Sequence, residues 1–269
     1  MRLIISILIL VAASNVKAEF FDHHFAIVFI DADTEEKYGS VPLNRRLLAS
    51  AIGRIADAGA KGIVLKFFLD QAKDNEGDRL LGDAFAQLPV ILQARIDNSE
   101  QSPNLLPERF TLPVEAETSI SGNSGWIPIP RFTTSAYDIG FVDYQGFPVS
   151  LLETYRGKTV KSLFLCSIEL AIGKKAIIEP GRKTVIGSIV LKLDTLNQTS
   201  VSLESIHKIN YIPFHDILEK DDWFTRVKNK VVILGYDGPK IPTIETKFGA
   251  FSAHRLYIKV LQELLRNGS

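Results

Sequence analysis

The sequence has little cysteine and no excess of charge of either sign. Cys166 is the only cysteine among 269 residues, so no intramolecular disulfide can form and the apolar core must supply the stability. Lys and Arg together number 31, as do Asp and Glu, which gives a formal net charge of 0. Proteins that bind nucleic acid or anionic lipid by neutralising phosphates carry a basic excess. The composition therefore argues against both partners.

Motifs of metal, phosphate and nucleophile sites are also missing. The histidines do not form H-E-x-x-H or another zinc spacing, and no G-x-S-x-G elbow is present. In "KVVILGYDGPK" two glycines precede Pro239, which has no N–H to donate to a phosphate, so we expect a turn at a strand end. Cys166 lies among apolar residues at helical spacing and is predicted to be a core thiol. We therefore expect no catalytic residue, no metal and no cofactor.

The N-terminus has the pattern of a signal peptide. Arg2 precedes the hydrophobic segment "LIISILILVAA", and Val16 and Ala18 occupy the small-residue positions before a cleavage point. The eleven residues 3–13 are too few to span a bilayer, which takes about 20. We predict a signal peptide over residues 1–18, a single domain over residues 19–269 without a transmembrane anchor after cleavage, and an exported protein, periplasmic or secreted.

Short apolar runs alternate with helical patterns along the first hundred residues. A helix is predicted from the spacing of Leu48, Ala51, Ile52 and Ile55, with Asn44 as its N-cap. The remaining segments are predicted as strand, strand, helix and strand, in the order "HFAIVFID", "KGIVLKFFLD", "GDRLLGDAFAQL" and "PVILQARI". This alternation predicts an α/β fold with a mixed, largely parallel β-sheet flanked by helices.

The later part of the chain is less regular. Residues 97–137 contain five prolines and "SISGNSG", which predicts a functional excursion or a partly mobile segment. Order is expected to return with the strand "DIGFVDY", the helix "KSLFLCSIELAIG", the strand "KVVILG" and the helix "SAHRLYIKVLQELL".

Acidic residues follow several of the predicted strands. Asp31 and Asp33 come after the first, Asp70 after the second and Asp237 after the last, and His254 opens the last helix. If the strands are parallel, these side chains meet at the edge where open α/β sheets bind ligands. Aspartate is also common at strand ends and as a helix cap, so a purely structural role is an equal alternative.

Taken in order, these segments resemble the second class of the CHASE domains. These are extracellular sensory modules of bacterial cyclases, histidine kinases and serine/threonine kinases. The resemblance is carried by the opening "FAIVFIDADTEEKYGSVPLNRRLLASAIGRIADAGAKGIVLKFF", by "IGFVDY" with "SLFLCSIELAIG", and by "INYIPFHDIL", "VKNKVVILGYDGP" and "FSAHRLYIKVLQELL". It covers nearly all of the chain after residue 18 and implies a sensory domain that binds a ligand.

Some positions depart from the family pattern. Lys66 stands where the family usually has an acidic residue in the second strand, and Val41 stands where a tryptophan is common. Ser252 and Ala253 replace residues usual before the closing histidine, and an arginine that often follows "GFVDY" is missing. A pocket built from these positions would differ from that of other members.

The combined reading is a non-catalytic extracytoplasmic sensor that acts through a separate partner chain. Its partner is expected to be a small molecule or an envelope protein. Two alternatives remain, a secreted hydrolase that pairs Asp33 or Asp237 with His254, and a structural envelope protein. The candidate pocket residues, including one arginine implied by the resemblance, are Asp31, Asp33, Arg45, Asp70, Asp237 and His254.

Overall fold

The computed structural model describes residues 20–99, 103–203 and 209–268. The predicted signal peptide, residues 1–18, lies outside the described residues. The described strands are β1 (Phe25–Ile30), β2 (Gly62–Leu65), β3 (Val90–Ile96), β4 (Thr111–Leu112), β5 (Ser121–Gly122), β6 (Gly125–Trp126), β7 (Asp138–Phe141), β8 (Val149–Ser150), β9 (Leu152–Tyr155), β10 (Lys158–Lys161), β11 (Ile177–Glu179), β12 (Lys183–Ile186), β13 (Ile189–Lys192), β14 (Gln198–Thr199), β15 (Ile212–Pro213), β16 (Val231–Tyr236), β17 (Thr243–Thr246) and β18 (Gly249–Ser252). The described helices are α1 (Ala32–Tyr38), α2 (Arg45–Asp57), α3 (Asn75–Ala84), α4 (Pro130–Ser135), α5 (Leu163–Ile172), α6 (Phe214–Glu219), α7 (Phe224–Val227) and α8 (Ala253–Gly268).

The main sheet is largely parallel. Its strands follow the order β15, β1, β16, β2 and β3, and all of these neighbours run in the same direction. On β3, β7 pairs in parallel and β6 pairs antiparallel. Strands β1, β2 and β16 are buried along their whole length, as expected for a sheet covered on both faces.

Helices cover both faces of this sheet. Alternate residues of each strand point to opposite sides, so Val28 and Ile27 of β1 belong to different apolar clusters. Helices α2, α3 and α6 pack on one face, and α5 and α8 pack on the other. The predicted α/β fold is confirmed, and so is Asn44 as the N-cap of α2, where its side chain accepts from the Arg46 N–H at 2.8 Å.

The strand predicted from "KGIVLKFFLD" is shorter than expected. Strand β2 ends at Leu65, Lys66 adds one more ladder hydrogen bond, and Phe67 to Asp70 leave the sheet. The apolar run continues beyond the strand because Phe67 and Phe68 line a cavity at the sheet edge. A hydrophobic run thus marks burial here and does not mark the length of the strand.

The proline-rich stretch is ordered where it is described. Asn104 donates from its side-chain amide to the backbone oxygens of Asp70 and Ile127, at 2.7 and 2.8 Å. Ile120 and Phe132 are buried in the core on the α2 face. The stretch is therefore an excursion that packs against the domain in its described part, residues 103–137.

A buried ionic cluster joins β7, β10 and α5. The Lys161 ammonium contacts the carboxylates of Asp138 and Glu169, with 2.8 Å to Oε2 of Glu169. Lys175 reaches the same two carboxylates at 3.3 and 3.2 Å, but its side chain is 62% exposed, against 7% for Lys161. Lys161 is therefore the buried counter-charge of two buried carboxylates. Cys166 lies nearby as a buried free thiol.

Candidate functional site

A cavity of about 1010 Å³ opens at the carboxyl ends of the central strands. Its walls come from the residues that follow β2, β3 and β7, and from the first turns of α5 and α8. Ligands of open parallel sheets bind at this edge, because the loops there diverge from the strand ends. The aromatic part of the wall consists of Phe67, Phe68, Phe141, Tyr144, Phe164, Tyr236 and Tyr257.

One row of residues across the sheet forms the floor of the cavity. Leu65 of β2 pairs with Leu234 of β16 and Leu92 of β3, so the next position places Lys66 between Gly235 and Gln93. The Lys66 N–H donates to the Leu234 oxygen at 2.9 Å, which continues the ladder by one residue. The row ends on β7, where Gln93 pairs with Gly140.

The two glycines of this row allow the walls to approach the sheet. A Cβ atom on Gly235 would lie 3.0 Å from Nδ1 of His254, the second residue of α8. A Cβ atom on Gly140 would lie 2.4 Å from the backbone Cα of Leu163, the first residue of α5. Because Gly235 and Gly140 have no side chains, both helices can begin close above Lys66 and Gln93.

Lys66 is a buried cation in the floor of the cavity. The residue is 6% exposed, and its Nζ lies 4.3 Å from the centre of the Tyr257 ring. Within the described ranges, no acidic side chain forms an ion pair with Lys66 and its ammonium makes no hydrogen bond. Burial lowers the pKa of Lys66 to about 7, since the charged form has lost its water. The side-chain Oε1 of Gln93 is also buried without a hydrogen-bond partner among the described residues.

His254 is held in its neutral form beside this lysine. The backbone N–H of Tyr236 donates to Nδ1 of His254 at 2.8 Å, which assigns the ring proton to Nε2. Burial, and next the positive charge of Lys66, lower the pKa of His254 to about 3. The imidazole is therefore a neutral hydrogen-bonding group of the cavity at physiological pH.

Replacing His254 by asparagine should weaken the acid sensitivity of the fold. The folded pKa is about 3 and the unfolded value is about 6.5, so the unfolded chain binds the extra proton between these two values. Stability from this residue is complete above pH 6.5 and is lost as the pH falls toward 3. Urea unfolding should show the wild type losing about 1–3 kcal/mol relative to His254→Asn between pH 6.5 and 4. Parallel pH curves for the two proteins would contradict the buried neutral state.

A pair of carboxyl groups lies on another side of the cavity. Asp143 lines the wall, accepts from the Ile96 N–H at 2.8 Å and lies 3.9 Å from Nε of Arg95. Behind it Glu153 is fully buried, and neither of its carboxyl oxygens has a hydrogen-bond partner among the described residues. Burial raises the pKa of Asp143, and burial together with the charge of Asp143 raises that of Glu153 well above its ordinary value. The raised pKa of Glu153 favours the neutral, protonated form of this buried carboxyl group.

Two of the acidic residues predicted at strand ends do lie side by side. The Asp237 N–H donates to the Ile30 oxygen at 2.9 Å, which places Asp237 next to Asp31. Asp31 caps α1 and accepts from the N–H and hydroxyl of Thr34 at 3.0 and 2.7 Å. Asp237 binds the guanidinium of Arg255, with 2.9 Å between Nε and Oδ2. Both carboxylates therefore have protein partners.

The other three predicted residues lie apart from this pair. Arg45 is buried and contacts Asp78, and its guanidinium donates to the backbone oxygen of Gln71 at 2.5 Å. Asp33 is exposed in the first turn of α1, and Asp70 is partly buried in the loop after β2. Of the six predicted site residues, the described lining of the cavity includes His254 and not the other five.

Sequence reasoning did not place Lys66, Gln93, Asp143 or Tyr257 in the site. For Lys66 a signal was present, namely a lysine inside an otherwise apolar run, at a position that departs from the family pattern. Gln93 lies inside the strand "PVILQARI" and is the single uncharged polar residue of that run. Both signals are polar residues that interrupt segments buried on both faces.

The described residues contain neither a metal-binding cluster nor a membrane-spanning helix. In residues 20–99, 103–203 and 209–268, no group of three or more His, Cys, Asp and Glu side chains could hold a metal ion. Within the same ranges, none of the helices combines the length and the apolar character needed to cross a bilayer.

Comparison with known families assigns the chain to one family. It matches the CHASE2 domain family over residues 3–267, which is nearly the whole length. No curated protein and no solved structure matches it. The order of strands and helices predicted a resemblance to this family, and the match confirms it. The chain belongs to the CHASE2 family, a family of extracellular sensory domains.

Proposed function

We propose that this chain is a non-catalytic sensory domain of the extracytoplasmic space, and that the cavity at the carboxyl edge of its sheet is the ligand site. The observation that carries this proposal is the floor of the cavity. There the Lys66 ammonium, which faces only the Tyr257 ring, and Oε1 of Gln93 are buried without hydrogen-bond partners among the described residues. Such groups are costly unless something pairs with them, so their presence supports binding of a ligand.

The size and lining of the cavity support a small organic molecule. Pockets for such ligands measure about 300–1,000 Å³ and combine apolar walls with a few polar groups. This cavity reaches about 1010 Å³, and aromatic rings surround its polar floor. A ligand here would exchange apolar surface with the rings and make its directional contacts at the floor.

The contacts of His254 support a binding role over a hydrolytic one. A hydrolase with a histidine base needs a carboxylate or a nucleophile within hydrogen-bond reach of the ring. Nδ1 of His254 accepts from the Tyr236 backbone, and Asp237 binds Arg255 and the Ser252 hydroxyl. The two predicted catalytic partners therefore use their hydrogen bonds on other groups.

Helix α8 is the element that would carry a signal from the cavity. His254 and Tyr257 line the cavity from the start of the helix, which has 16 residues in all and ends at Gly268. Ligand contact at this end would shift the whole helix, because helices move as rigid elements. In this proposal a separate partner chain reads that shift.

A retention experiment tests the cavity as the ligand site. The purified protein would be exposed to an extract of small metabolites, washed, and analysed for bound molecules by native mass spectrometry. Ala253→Trp adds a large ring at the cavity wall, whereas Ala86→Trp makes the same change at an exposed position outside the cavity. We expect a molecule to be retained by the wild type and by Ala86→Trp, and at least tenfold less of it by Ala253→Trp.

Two results would count against the cavity. One is equal retention by the two tryptophan variants, which would place the ligand elsewhere. The other is the absence of any retained molecule from wild-type protein across several extracts. Circular dichroism of both variants checks that each is folded before retention is compared.

A further inference from the structure

We propose that the cavity takes a small organic carboxylate, whose charged group is held by the Lys66 ammonium, the Gln93 amide and the N-terminal turn of α5. The inference rests on the proposed function and specifies the chemical class of its ligand. The body of the molecule would lie against Phe67, Phe68 and Tyr257.

The buried charge of Lys66 favours an anionic ligand. A buried ammonium needs a negative charge or a set of acceptors nearby, because it has given up its hydration. The aromatic face of Tyr257 at 4.3 Å supplies part of this, but it is not a hydrogen-bond acceptor of carboxylate strength. Asp143, an acidic residue of the wall, accepts from the Ile96 N–H and lies 3.9 Å from Nε of Arg95. An anion from outside is therefore the missing partner of Lys66.

The N-terminus of α5 favours an anion at the same place. Ser162 caps this helix of 10 residues, and Leu163 and Phe164 of its first turn line the cavity. The N-terminus of a helix carries a partial positive charge and favours anions. Gly140 allows this turn to lie against the sheet beside Gln93, so the helix end and the buried ammonium act on the same space. Gln93 lies between them, and its Nε2 group is the part of this amide that would donate to the anion, while its buried Oε1 is an acceptor left for a donor of the ligand.

The charged residues of the cavity favour a ligand with a single negative charge. The wall contains Arg95 as a further cation, but Asp143 lies 3.9 Å from it. Asp97 also lies in the wall. One cation, Lys66, therefore stands uncompensated at the floor, and it matches one negative charge. A doubly charged phosphate would keep a charge that the site does not neutralise, so the carboxylate is the better fit.

The aromatic wall of the cavity favours an apolar body next to the carboxylate of the ligand. Seven aromatic side chains line the cavity, and a flat apolar body would stack on them. A cationic ligand is disfavoured, because it would approach Lys66 with the same sign of charge. The ligand class that satisfies both parts is an amphipathic acid with an aromatic or aliphatic body.

A matched set of fragments tests this inference. The probes are 3-phenylpropionate, 3-phenylpropan-1-ol and 3-phenylpropylamine, which share one body and differ in charge, together with inorganic phosphate. Binding to the full chain would be measured by isothermal titration and by ligand-observed NMR. We expect the acid to bind at least about tenfold more tightly than the alcohol, which is the usual range for one charge-assisted contact. The amine and phosphate should bind more weakly still.

Three variants locate the anion. Lys66→Met should reduce binding of the acid about tenfold or more and leave binding of the alcohol unchanged. Gln93→Glu puts a carboxylate beside Lys66 and should block the acid in the same way while keeping a charged floor. Lys228→Met changes an exposed lysine outside the cavity and should bind like the wild type.

The outcomes separate this inference from the proposed function. Equal binding of acid and alcohol, or insensitivity of the acid to both Lys66→Met and Gln93→Glu, overturns the carboxylate site. Binding of phosphate without the acid overturns it as well, and so does failure of all four probes. In each case the retention experiment with Ala253→Trp still decides whether the cavity binds a ligand.

Discussion

Replacing Lys161 by methionine should destabilise the protein by about 3–5 kcal/mol, as expected when one partner of a buried ion pair is removed. Asp138 and Glu169 have side chains that are 6% and 5% exposed, and both use Lys161 as their inner counter-charge. Methionine matches the length of the lysine stem, so the loss reports the charge and not a cavity. Urea unfolding at pH 7, with the slope of the transition unchanged, gives the measurement.

Lys175→Met is the matched control for this prediction. Lys175 reaches the same two carboxylates at 3.3 and 3.2 Å, but it is mostly in water. An exposed pair contributes about 0–1 kcal/mol, so this variant should lose less than 1 kcal/mol. Equal losses in the two variants would show that burial does not decide the strength of the cluster.

The ligand-free protein should become more stable as the pH rises from 7 to 9.5. Lys66 has a folded pKa of about 7, whereas an unfolded lysine has a pKa of about 10.4. Between these values the unfolded chain binds more protons, so the free energy of unfolding rises with pH. The cost of the buried charge is complete below pH 7 and is relieved above it. Over this interval the gain is on the order of 3 kcal/mol.

Lys66→Met isolates this contribution. The variant should be more stable than the wild type at pH 7, and the difference between the two should shrink as the pH rises to 9.5. Taking the difference at each pH cancels the titration of every other group that behaves alike in both proteins. A difference that stays constant across the interval would show that Lys66 keeps an ordinary lysine pKa, and Lys228→Met should follow the wild type throughout.

The fold was predictable from the sequence because its strands are buried on both faces. Runs such as "AIVFI" and "VVILG" have no alternation, which is typical of the interior of a parallel sheet. The face of α2 repeats at Leu48, Ala51, Ile52 and Ile55, and all four are buried. These are local patterns, and local patterns fix the type of an element. The end of β2 was not predicted, because Phe67 and Phe68 are apolar for a reason other than strand pairing.

The candidate site was predictable only in its location. The carboxyl edge of the sheet follows from parallel strands, and His254 was found there because it opens the last helix. The roles of the aspartates at the strand ends could not be predicted, because they depend on their partners in the fold. The partner of Asp237 is Arg255, 18 residues along the chain, and that of Asp31 is the first turn of α1. Lys66 and Gln93 become neighbours only through the register of β2 and β3, which the sequence does not state.

The last described helix supplies cavity residues that include His254 and Tyr257, while the floor comes from β2, β3, β7 and β16. The cavity is therefore complete only where α8 packs against the sheet. A chain truncated before residue 253 would keep the sheet residues Lys66 and Gln93 yet lack one wall around them. The proposed ligand site therefore depends on α8 as much as on the sheet, and a chain cut before residue 253 is expected to lose the contacts of His254 and Tyr257.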